Sequence, residues 1–82
     1  MMELNGLYAG GSLAGEQLSG RVLSGTFVGV DLSDADLSYA ALTGTFIMVS
    51  LRGANLRGAD LTQARMIGVD IRDAVLPGDA PA

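Results

Sequence analysis

The stretch Leu32-Ser-Asp-Ala-Asp-Leu37-Ser-Tyr-Ala-Ala-Leu42 returns a leucine to every fifth position. The series continues through Phe46, Leu51, Leu56, Leu61, Met66, Ile71 and Leu76, with one shorter step between Leu42 and Phe46. Neither an α-helix, with ~3.6 residues per turn, nor a strand, with a repeat of about two, keeps such a series on one side. A backbone that turns a corner every five residues does so. Each corner brings one large side chain back to a common axis.

A longer repeat contains the short one. Leu4-Asn-Gly-Leu-Tyr8, Leu23-Ser-Gly-Thr-Phe27 and Leu42-Thr-Gly-Thr-Phe46 are one phrase at intervals of nineteen, and a fourth copy begins at Leu61-Thr62 with one residue more before Met66. Aligned, the copies form four columns. The first face holds Leu4, Leu23, Leu42 and Leu61; the second, Tyr8, Phe27, Phe46 and Met66. The third holds Leu13, Leu32, Leu51 and Ile71; the fourth, Leu18, Leu37, Leu56 and Leu76. Four faces and about four coils make a single all-β solenoid over residues 4–76, between a lead of residues 1–3 and a tail of residues 77–82. Leu23, Phe27, Leu32, Leu37, Leu42, Phe46, Leu51, Leu56 and Leu61 are the expected core columns. At the second face two frames fit, because the short step allows either Phe27 and Phe46 or Val28 and Ile47 to point inward.

Ala35-Asp36-Leu37-Ser38, Ala54-Asn55-Leu56-Arg57-Gly58 and Ala59-Asp60-Leu61-Thr62 resemble the Ala-Asp/Asn-Leu-x-x unit of pentapeptide-repeat proteins. The resemblance covers roughly residues 4–76 and implies a right-handed quadrilateral parallel β-helix. It also implies that the centre residue and the small residue two before it face inward. The inner slots agree: Ala35, Ala40, Ala54, Ala59, Ala64 and Ala74, with Val30, Val49 and Val69 on the third face. Glu16 and Arg21 break the pattern in coil one.

The composition excludes most chemistry. The 82 residues include no Cys, His, Lys or Trp, so the thiol and imidazole nucleophiles and metal ligands are missing. Gly10-Gly11 and Gly15 lack the lysine of a phosphate-binding loop and read as turn residues. Asp34 and Asp36 form an Asp-x-Asp pair with no following bidentate Glu, a poor calcium site. No enzyme activity, cofactor or metal is therefore expected. A net charge of −4 argues against nucleic-acid or membrane partners. The acidic start, Met-Met-Glu-Leu-Asn, is unlike a signal peptide, and a cytoplasmic location is expected.

Two surfaces remain as interaction candidates. Stacking ends are expected at Met2, Leu4, Tyr8, Leu13 and Leu18 on one side and at Met66, Ile71 and Leu76 on the other, because no capping helix precedes coil one. Beside the second-face centres, Ala9, Val28, Ile47, Met48 and Ile67 form an apolar stripe where other faces carry polar residues. Such stripes mark contact surfaces. Residues 1–41 hold five acids (Glu3, Glu16, Asp31, Asp34, Asp36) and one Arg, whereas residues 42–82 hold four of each. Unlike ends favour head-to-tail contact, which does not close and builds filaments. The expected function is thus a non-enzymatic module that self-associates through its ends, its lateral face or both. The alternative, implied by the family resemblance, is a regulatory binder of an enzyme such as DNA gyrase by mimicry of DNA. Four coils make a rod of roughly 20 Å, about six base pairs long, and arginines interrupt its acids. On the third face Asp34 and Asp73 alternate with Arg52 and Arg72, an expected ion-pair ladder between coils.

Overall fold

The structure, a computed structural model, describes residues 6–78. Six short strands are formed among the described residues: β1 (Leu7–Ala9), β2 (Val22–Leu23), β3 (Thr26–Val28), β4 (Ala41–Leu42), β5 (Thr45–Ile47) and β6 (Arg65–Ile67). Strands β1, β3, β5 and β6 stack as a parallel sheet on the second face, and β2 pairs with β4 on the first. The third and fourth faces are joined by single parallel bridges, Ser12–Asp31–Ser50–Asp70 and Gln17–Asp36–Asn55–Val75. Tyr8 pairs with Phe27, Phe27 with Phe46, and Phe46 with Met66, so the columns of the sequence alignment are physical columns. The fold is a four-sided parallel β-helix, and no helix occurs among the described residues.

The backbone at one corner explains the five-residue unit. Leu32 N–H donates to the Ser50 carbonyl at 2.7 Å, and Asp34 N–H to that of Arg52 at 2.9 Å. Ser50 N–H donates back to Val30 at 3.1 Å. Within the coil, Ala35 N–H closes a turn onto the Leu32 carbonyl at 3.2 Å. One donor is left, Ser33 N–H, and the Asp31 carboxylate accepts it at 2.9 Å. Every N–H of the corner then has a partner, as a polar backbone beside a core requires. Asp36, Asn55, Asp60 and Asp70 serve Ser38, Arg57, Thr62 and Arg72 in the same way. Where an Asp or Asn stands before a centre, it is a structural part. The turn needs a left-handed residue at its third position, which Asp34 supplies at φ 59° and Tyr39 at φ 61°.

The core is the inner column set. Leu23, Phe27, Leu32, Leu37, Leu42, Phe46, Leu51 and Leu56 are fully buried. Leu61, expected with them, is only half-buried because it opens the last described coil and nothing described lies beyond it. The rings of Tyr8 and Phe27 stack at 4.8 Å and 17°, and those of Phe27 and Phe46 at 4.8 Å and 6°. The second-face frame is thereby resolved: the phenylalanines face in, and Val28 lies at the surface. The short first side explains how. Gly44 closes one corner and opens the next, and a Cβ on it would collide with the Gly25 carbonyl. Glycine lets the corner lose a residue without rotating the second face. In coil four Gln63 and Ala64 divide the two roles, and Ala64 N–H closes an ordinary turn onto Leu61 at 3.1 Å. The pattern-breaking Glu16 is exposed and Arg21 half-buried.

Candidate functional site

Four carboxylates, Asp31, Asp36, Asp60 and Asp70, are occupied with the fold. Ser38 donates both its hydroxyl, at 2.7 Å, and its N–H, at 3.0 Å, to Asp36. Those bonds hold the Asp36 carboxyl below its ordinary value; Ser33 acts likewise on Asp31, and Thr62 on Asp60. Hydrogen bonds from Arg72, side chain first and backbone second, bring Asp70 down to about 2, and the Arg52 charge adds to this. The expected ion-pair ladder is absent. The ion pair among the described residues joins Arg72 to Asp70 at 2.7 Å within one coil, two residues apart. Neighbouring outward side chains on one corner reach each other more easily than those on stacked corners. No group of three or more acids is placed to hold a metal ion among the described residues. No helix there is long and apolar enough to cross a membrane.

The lateral stripe is continuous. The register Ala9–Val28–Ile47–Ile67 runs through all four strands of the second-face sheet. Ala9 is exposed, Val28 is 37% exposed, Ile47 is half-buried and Ile67 is 53% exposed. Met48, 66% exposed, flanks the stripe at φ 54°, with its sulfur over Gly68. The glycine leaves a shelf on which the thioether lies flat.

The ends differ from each other. On the first, Tyr8 and Leu13 are half-buried. Leu18, expected at this end, is 3% exposed and belongs to the core. It packs into the core cluster, and its N–H donates to the Asp36 carbonyl of the next coil at 2.8 Å. Met2 and Leu4 lie outside the described residues. On the other end Met66 and Leu76 are half-buried and Ile71 is exposed. The sequence reading missed three exposed apolar groups, Leu7, Tyr39 and Val75. Leu7 shares a row with Thr26, Thr45 and Arg65, and Tyr39 covers Gly58 as Met48 covers Gly68. The signal for Tyr39 was the glycine one repeat later.

A family model described as pentapeptide repeats, in eight copies, matches residues 17–48 and 49–78. The chain belongs to the pentapeptide-repeat family. Its architecture is the right-handed quadrilateral β-helix of pentapeptide-repeat proteins. Two solved structures are similar to this pentapeptide-repeat chain. HetL, a pentapeptide repeat protein involved in heterocyst differentiation regulation from the cyanobacterium Nostoc sp. strain PCC 7120, is 30% identical with a TM-score of 0.46. The match covers 98% of this chain, which spans 38% of the length of HetL. Rfr23, from the cyanobacterium Cyanothece 51142, is 17% identical with a TM-score of 0.40; the match covers 90% of this chain and 86% of Rfr23. A comparison with curated protein sequences gave no match.

Proposed function

We propose that this pentapeptide-repeat chain is a non-enzymatic interaction module that self-associates by stacking its β-helix ends head to tail. One observation carries the reading: the backbone groups left over at the two ends are complementary. On the first end, the N–H and C=O of Ser12 and the C=O of Ala14 have no partner among the described residues. On the other, the N–H of Ile71 and Asp73 and the C=O of Val69 are in the same condition. Inside the rod, equivalent groups bond coil to coil: Leu51 N–H to Asp70, Gly53 N–H to Arg72, and Asp70 N–H to Val49. A second copy docked below coil four repeats that pattern one coil further on. It also covers the apolar cross-section around Ile71, whose burial favours contact. Two like ends do not offer this match, because parallel coils present different groups above and below.

Fusing a capping helix to the N-terminus tests the proposal. The fused protein is expected to remain monomeric at concentrations where the unfused chain grows into larger species. Equal assembly of both forms would exclude end stacking.

A further inference from the structure

The first end carries a hollow of about 240 Å³ lined by Tyr8, Gly10, Gly11, Ser12, Leu13 and Val30. Its origin is one column of the fold. The inner slot of the third face is valine in three coils, Val30, Val49 and Val69, and glycine in coil one, Gly11. Val30 and Val49 are buried, while Val69 is half-buried at the far end. A side chain is therefore missing above Val30, and one of the same kind stands uncovered at the opposite end.

We propose that copies stack in one rotational register, with third face on third face, so that Val69 of one copy enters the hollow over Gly11 of the next. The inference rests on the end-stacking reading and adds the register. Backbone bonds alone choose only in part among four rotations, since all four faces offer parallel pairing, over three residues on the second and single bridges on the third and fourth. The side chains complete the choice. The inner-slot residues of the last coil are Ala59, Ala64, Val69 and Ala74. Any quarter or half turn places an alanine, smaller by two methyl groups, over Gly11 and fills less of the hollow, and a void forfeits the contacts of its lining. In the aligned register Met66 also falls on Tyr8, the free end of the ring stack, as Met66 already pairs with Phe46 inside the rod. A thioether against an aromatic ring is a favourable contact. The extra residue of coil four is no obstacle, because the junction between coils three and four already joins a short first side to a long one.

Disulfide trapping reads the register directly, since the chain has no cysteine of its own. Aligned stacking extends the Ala9–Val28–Ile47–Ile67 column across the junction, at the strand spacing of about 4.8 Å and within the reach of a disulfide. The double variant Ala9→Cys/Ile67→Cys is expected to form intermolecular disulfide ladders under mild oxidation. Ala14→Cys/Ile67→Cys, which pairs columns one face apart, is expected to stay mostly uncrosslinked. Crosslinking of the second pair, equally or preferentially, overturns the register while leaving end stacking intact. Assembly by sedimentation with neither pair crosslinked overturns it too, and leaves another rotation of stacked ends or a lateral contact. Monomers at every concentration remove both this inference and the reading beneath it.

Discussion

Single residues decide whether each corner closes. The Asp36 oxygen that accepts from Ser38 needs no charge to do so, because Asn55 does the same for Arg57 at 3.0 Å. Asp36→Asn is therefore expected to lower the melting temperature at neutral pH only slightly, by the lost charge, whereas Asp36→Ala leaves the Ser38 N–H unpaired and lowers it further; thermal melts followed by circular dichroism compare the two. The lowered carboxyl values of Asp31, Asp36, Asp60 and Asp70 also fix the sign of the acid response. Their contribution is complete above the unfolded value near ~4 and is lost as pH falls through the folded values. For Asp70 that loss extends to about 2. Melts between pH 5 and about 2 are expected to show a falling midpoint, less steeply in Asp36→Asn. Gly44 answers to space. A Cβ there meets the Gly25 backbone, which has no flexible side chain to yield. Overpacking costs about 1–3 kcal/mol even where neighbours adjust. Gly44→Ala is expected to lose at least that much in urea denaturation, and wild-type stability would show that the short corner has room.

At the scale of the face, the second-face sheet separates an aromatic interior from an aliphatic exterior. Phe46 is fully buried against Phe27, so Phe46→Ala is expected to cost about 3–5 kcal/mol and to unfold so small a domain under ordinary conditions. Ile47, its outward neighbour, is half-buried in the lateral stripe. Ile47→Asp is expected to keep the β-rich dichroism spectrum, since surface changes usually cost within about 0.5 kcal/mol. Loss of fold in that variant would instead place the side chain in the core. The sequence disclosed the columns well because each leucine recurs in register and only an axis can collect them. It left the second face double because a four-residue step carries no mark of which residue is absorbed. Gly25 and Gly44 held that information, but only the approach of one backbone to the next shows why a glycine stands there. The stripe was legible as a run of apolar outward slots. The Gly11 hollow was not singled out, although the glycine stands in a valine column, because its meaning depends on the opposite end. The proposed ion ladder failed for a related reason: column neighbours by sequence were read as contacts, whereas Arg72 found Asp70 on its own corner.

The whole molecule is a short rod whose two ends are unlike. One end presents a hollow and ring-topped column, the other an exposed Ile71 and an uncovered Val69. Head-to-tail contact of unlike ends does not close on itself, so the proposed stacking predicts open, concentration-dependent growth. The lateral stripe runs the length of the rod and is left outward by end stacking, available to bundle rods. Ile47→Asp is then expected to leave single rods while removing wider bundles, which electron microscopy of stained particles distinguishes. Sedimentation equilibrium of the unmodified chain over a wide concentration series tests end-to-end self-association. A weight-average mass that rises steadily with concentration and reaches no dimer plateau is the predicted result. A constant mass of 8.4 kDa at every concentration would contradict it.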